Sequence, residues 1–235
     1  INETVRKFLI DNSQEEYRKF SLSLLPPDTR ILGVRLPLIK KYSKELCRGD
    51  WRKYLKYAKS YWYEEIMLQG FVIGSAKCEI NERVDLIKGF LPKIKNWGIC
   101  DSFSMGIKIL EAQRPIYFKF LESCQKSGEP FIRRYATVSM LSKYVDDEYI
   151  ERVLELLLIK EPENYYVKMA TAWALSVCLL KYRNLSETEI IRSGLGKDTL
   201  KMTLRKVKES RRYRLDAKLE IANKLKKAER YIEFT

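Results

Sequence analysis

The chain contains no histidine at all. That absence removes imidazole acid–base catalysis, the Ser-His and Cys-His nucleophile pairs, and the usual zinc sites. The five cysteines, Cys47, Cys78, Cys100, Cys124 and Cys178, form no CxxC pair. Scattered, odd in number and set in apolar patterns, they read as reduced core residues, and neither a metal nor a cofactor is expected. No apolar run is long enough to span a membrane, and no charged-then-apolar targeting segment opens the chain. The expectation is a cytoplasmic, nucleoid-associated protein with no membrane partner. The chain opens on isoleucine rather than methionine, so a trimmed start is expected. Glycine and proline number only 10 and 7 in 235 residues, and β-branched alternation is rare, which argues against a sheet-rich fold.

What remains is helix. Apolar residues recur at three- and four-residue steps through almost every segment. The pattern predicts fourteen helices, near 2–10, 13–24, 37–48, 50–60, 62–77, 81–92, 97–110, 115–126, 130–144, 147–160, 164–181, 187–194, 197–210 and 214–231. Breaks are expected at Pro26-Pro27-Asp28, Arg48-Gly49-Asp50, Pro92, Ser127-Gly128-Glu129-Pro130, Pro162 and Gly194-Leu195-Gly196. Asp50, Asp146 and Ser186 are the expected N-caps. Short connections imply antiparallel neighbours, and stacked helix pairs give an all-α, right-handed superhelix of helical repeats with a concave face. No linker divides the chain, so one domain over residues 1–235 is expected.

Lysine and arginine outnumber aspartate and glutamate 45 to 31, a formal net charge of +14. Such a balance points to a polyanionic partner, with nucleic acid first. Residues 197–235 carry Lys197, Lys201, Arg205, Lys206, Lys208, Arg211, Arg212, Arg214, Lys218, Lys224, Lys226, Lys227 and Arg230. Lys40, Lys41 and Lys44, with Arg35, form an earlier cluster. Contacts of this kind position DNA on its phosphates without reading sequence.

Without histidine, chemistry falls to carboxylates, aromatics and cations. Asn96-Trp97-Gly98-Ile99-Cys100-Asp101 sets an indole and a carboxylate four residues apart, on one face of a helix. Arg133-Arg134 and Trp173 follow in later helices. Trp97, Arg134 and Trp173 are 37 and 39 residues apart, which is helical-repeat spacing.

Three stretches, NWGICDSF, FIRRYATVSML and YYVKMATAWALS, resemble in order three motifs of the AlkD family of DNA alkylation repair glycosylases, built from HEAT-like repeats. The likeness runs from about Gly33 (ILGVRLPLIKKYSKEL) to the ESRRYR segment near residue 210. The resemblance implies a monofunctional glycosylase that hydrolyses the N-glycosidic bond of N3- and N7-alkylated purines in duplex DNA, acting as a monomer and leaving an abasic site. It assigns Asp101 to the catalytic aspartate, Trp97 and Trp173 to the active-site tryptophans, and Arg134 to phosphate contact. Arg133 reads as a neighbouring surface or structural charge, placed with the DNA-binding set of Lys40, Lys41, Lys44, Lys201, Arg205, Lys208, Arg211 and Arg212.

The chemistry is consistent with that assignment. Alkylation at N3 or N7 makes the purine cationic, so the base leaves neutral and needs little general acid. A carboxylate then stabilises the cationic sugar and orients water. Indole faces attract cations by about 0.5–2 kcal/mol. Members of the family are understood to leave the lesion largely stacked rather than extrude it, which fits a shallow basic groove. Two departures stand out. Gly98 occupies a position that is acidic in well-studied members, and Phe20 to Leu24 offers no counterpart to an aromatic that some members place at the groove. A non-catalytic protein binding damaged or branched DNA, a protein-binding helical scaffold and an RNA-directed role are the competing readings. Tyr61, Trp62, Tyr63, Tyr165 and Tyr166 are expected to pack between repeats, and Trp51 and Trp62 to serve structure.

Overall fold

A computed structural model describes residues 2–159 and 162–232, without the side chains of 227–232. The chain is all-α: the described residues contain fourteen α-helices, two short 3-10 turns and no strand, only an isolated bridge between Ser13 and Val34. No described helix is long and apolar enough to cross a membrane. The chain forms two compact units, residues 1–120 and 121–235.

The first unit is organised around α5 (Tyr63–Ser75), in which ten residues from Glu64 to Gly74 are buried. A helix buried on nearly all sides needs neighbours on every face. α3 (Leu36–Leu46) and α7 (Trp97–Gly106) pack against it, with further contacts from α1 (Asn2–Asp11), α4 (Trp51–Tyr57) and α6 (Ile80–Phe90). Met67, Leu68, Phe71 and Val72 meet a core that includes Ile39, Ile87, Ile99 and Phe103. Each such side chain contributes about 1.5–3 kcal/mol on burial. Glycine lets α5 and α7 approach closely. A Cβ on Gly74 would lie 2.7 Å from the Gly106 carbonyl oxygen, and one on Gly70 would press on the rings of Phe103 and Phe90.

α2 (Glu15–Leu22) is different in kind, for it buries no residue. The loop after it is held by α5. The Tyr63 amide donates to the Arg30 carbonyl at 2.7 Å. The fully buried Glu64 carboxylate accepts from the amides of Leu32, Gly33 and Val34 at 2.7–3.1 Å. Gly33 sits at φ +93°, a left-handed conformation that glycine adopts without strain.

In the second unit α11 (Tyr165–Lys181) is the buried helix. It packs against α9 (Pro130–Lys143) and α13 (Lys197–Glu209), and less extensively against α10 (Ile150–Leu158) and α12 (Arg183–Ser193). α8 (Arg114–Gln125) straddles the boundary of the two units in sequence, and α14 (Leu215–Ile232) packs on α12 and α13. Glu187 of α12 is buried, yet it accepts from Arg183 at 2.8 Å and from Lys224 of α14 at 2.7 Å. Burial alone would raise its carboxyl pKa, but the two cations hold it below the ordinary value.

The number of helices matches the sequence pattern, and Asp50 caps α4 as expected, accepting from the Lys53 amide at 3.0 Å. Asp146 accepts from the Tyr149 amide at 3.3 Å, in the turn just before α10. Ser186 is a correction. It is not an N-cap: α12 begins at Arg183, three residues earlier, and Ser186 is fully buried inside it with a hydroxyl that finds no partner. The chain bends at Tyr182, the N-cap residue of α12, so Ser186 lies a full turn inside the helix and not at its start. The Gly194 stop holds, with Gly194 left-handed at φ +61° after the last turn of α12. Lys160, at the predicted end of the 147–160 helix, and the Lys227 and Arg230 side chains lie outside the described residues.

Candidate active site and nucleic-acid interface

α7 presents the carboxylate. Asn96 caps the helix, its side-chain oxygen accepting from the Ile99 amide at 3.0 Å, which fixes Trp97 as the first helical residue. Ile99, Cys100 and Phe103 point into the core, so Trp97 and Asp101, one turn apart, share a half-buried edge. Trp97 is tied down from a distance: its indole N–H donates to the Leu24 carbonyl at 3.1 Å, joining the chain just after α2 to the start of α7. With the N–H engaged, the ring face is what the indole has left to offer a cation.

A cavity of about 200 Å³ lies beside these two residues, entirely within the first unit. Tyr17, Phe20, Tyr63, Met67, Trp97 and Asp101 are among its walls, and Asp101 is the one carboxylate among the lining residues, which include no lysine or arginine. Phe20, 60% exposed, thus brings an aromatic ring to the cavity from the very segment that offered no counterpart in sequence. Tyr17 carries the Arg35 guanidinium over its ring at 5.0 Å, and Arg35 also donates to Gln14.

Sequence reasoning missed Tyr63. It was expected to pack like Tyr61 and Trp62, yet it lines the cavity beside Asp101. Burial, then the charges of Glu64, Tyr17 and Asp101, hold its phenol well above the ordinary value, so it stays a neutral donor. Gly98 is explained by the same residue: a Cβ at 98 would lie 2.6 Å from the Tyr63 hydroxyl oxygen. No side chain at 98, acidic or otherwise, fits unless Tyr63 moves. A tyrosine just before Glu64-Glu65 was the only available sequence signal, and nothing in it marked the direction of the ring.

The second unit holds the remaining predicted residues. Trp173 is half-buried on α11. Arg134 is only 5% exposed on α9, and its guanidinium donates to the Tyr166 carbonyl at 2.7 Å, across to the first turn of α11. Glu129 is the N-cap residue of α9 and makes no side-chain cap. Arg133 lines a separate cavity of about 540 Å³ with Lys126, Pro130 and Asn164, and its buried Nε has no partner among the described residues. Tyr165 is exposed at the start of α11 while Tyr166 packs on Phe131. Trp51 is buried, as expected of a structural residue.

Unlike Arg134, which is buried, and Arg133, which is half-buried, the other predicted phosphate contacts are exposed. Lys40, Lys41 and Lys44 stand on α3, and Lys201, Arg205 and Lys208 follow one another at helical spacing along α13. Arg205 pairs with Glu209 at 2.7 Å. Arg211 and Arg212 occupy the loop between α13 and α14, which the neighbouring Tyr213 anchors by donating its hydroxyl to the Ser176 carbonyl of α11. All five cysteines are free thiols, three of them buried.

In the first unit a carboxylate and an anchored indole lie beside one cavity, and exposed cations stand on α3 and, in the second unit, on α13. The family model for DNA alkylation repair enzymes matches residues 5–185, and the chain belongs to that family. Comparison with curated proteins and with solved structures gives no significant match. The family carries a role in DNA alkylation repair, and with it DNA as the partner.

Proposed function

We propose that the protein is a DNA glycosylase that hydrolyses the N-glycosidic bond of N3- and N7-alkylated purines in duplex DNA and leaves an abasic site. The observation that carries this reading is the placing of Asp101 and Trp97 on one half-buried edge of α7, beside a cavity whose lining includes no other carboxylate and no lysine or arginine. Water attacks C1′ of the deoxyribose, the C1′–N bond breaks, and its electron pair neutralises the cationic purine. Asp101 stabilises the positive sugar and takes the proton of the water. Trp97 offers its ring face to the cationic sugar, and Trp173, on the second unit, is the other tryptophan of the proposed set. Lys40, Lys41, Lys44, Lys201, Arg205, Lys208, Arg211 and Arg212 hold phosphates, and Arg133 and Arg134 belong to the same DNA-binding set.

Chromatography of the bases released from methylated duplex DNA tests the reaction. Free 3-methyladenine and 7-methylguanine, with abasic sites left in the strand, are the expected products. Salt-sensitive binding to the same duplex with no base released would instead identify a DNA-binding member without catalysis.

A further inference from the structure

We infer that Tyr63 is a further residue of the reaction, its hydroxyl holding the attacking water against Asp101, and that Gly98 is present to leave that hydroxyl in place. The inference rests on the glycosylase reading.

Three observations support it. Tyr63 and Asp101 line one cavity of about 200 Å³ within the first unit. The Tyr63 hydroxyl oxygen lies where a side chain at 98 would begin, 2.6 Å from the ideal Cβ position of Gly98. Residues 98 and 101 are three apart on α7, so their Cβ positions share one helix face about 5–6 Å apart, and the hydroxyl that abuts position 98 stands on the same side of the helix as Asp101. The cavity that both residues line has room for a water, which such polar partners would hold. The hydroxyl makes no hydrogen bond within the described residues, and it is not sealed from the cavity.

The rest of α5 keeps the ring from wandering. The Tyr63 amide is bound to the Arg30 carbonyl, and the next residue, Glu64, is locked by three loop amides. The phenol is therefore a preorganised donor on a rigid helix, not a side chain on a loop.

The water accepts a hydrogen bond from the Tyr63 hydroxyl through one lone pair and donates one to Asp101. Its second lone pair forms the bond to C1′. The C1′–N bond breaks with its electrons going to the purine, and the water's proton passes to the carboxylate. Tyr63 keeps its proton throughout, consistent with a phenol whose ionisation is suppressed.

The test is single-turnover release of 7-methylguanine from methylated duplex by the wild type, Tyr63→Phe, Gly98→Ala and the double variant, with duplex affinity and melting temperature measured on each. Misplacing a reacting group by about 1 Å costs on the order of 100-fold in rate, so Tyr63→Phe and Gly98→Ala are each expected to slow release roughly 10- to 100-fold with affinity unchanged. The double variant is expected to be no slower than the slower single, because the added methyl acts only by displacing a hydroxyl that is already gone. Wild-type release by Tyr63→Phe, a loss that follows DNA affinity or melting temperature, or losses that multiply in the double variant, would each overturn the assignment of Tyr63 and leave the glycosylase reading standing. A wild-type protein that releases no base would overturn both.

Discussion

Two carboxylates of this molecule are placed differently, one inside a helix packing and one at the wall of a cavity. On α12, Glu187 is buried, and two cations, Arg183 and Lys224, compensate it at 2.8 and 2.7 Å. On α7, Asp101 is half-buried and faces a cavity whose walls are rings and aliphatic chains. The first arrangement holds two helices together through a carboxylate inside the packing. The second sets a carboxylate at the wall of a cavity lined largely by apolar and aromatic side chains. Glu64 belongs with Glu187: fully buried, it is occupied by three loop amides and supports the cavity wall from behind.

That contrast predicts different kinds of failure. Glu187→Gln should be the most damaging to stability, by about 1.5–3 kcal/mol, because it removes the buried carboxylate that joins Arg183 and Lys224, while Arg183 keeps Glu220 at 2.8 Å. Thermal denaturation checks it. The pH dependence carries the sign: Glu187 has a lowered pKa in the folded state, so its contribution is present above the unfolded carboxyl value and is lost as pH falls through the folded one. The wild type should therefore lose stability on acidification more steeply than Glu187→Gln.

Gly74→Ala comes next. Its Cβ would meet the Gly106 carbonyl oxygen at 2.7 Å, so α5 and α7 must separate, at a cost of about 1–3 kcal/mol. Because α7 carries Asp101, base release should fall with it, which distinguishes this crossing from an ordinary core position. The smallest effect belongs to the exposed cations. Replacing Lys201 and Lys208 with alanine should leave the melting temperature within about 1 °C, in keeping with surface sites. The slope of log affinity against log salt should fall by about 0.9 for each phosphate that is no longer neutralised.

Much of this organisation is readable in the chain itself. Helix count and the Gly194 stop follow from local apolar spacing and backbone chemistry, which act within a few residues. Trp97 and Asp101 share a face because four residues make about one turn. Ser186 misled because a serine between two apolar runs looks like a cap, whereas α12 starts earlier and packs that serine inside. Tyr63 was invisible as a site residue for a deeper reason. Its place beside Asp101 depends on how α5 crosses α7, and that crossing is set by Gly70 and Gly74, far from either motif. The glycine at 98 read as a loss when seen alone. With the Tyr63 hydroxyl against it, it reads as one half of a pair.

The most direct test of the account is the single-turnover rate of base release by Asp101→Asn on methylated duplex, measured together with its affinity for the same DNA. The account predicts a rate at least about 100-fold below wild type, as for removal of a single preorganised electrostatic group, with affinity unchanged. A rate close to wild type, or a loss explained wholly by weaker binding, would contradict it.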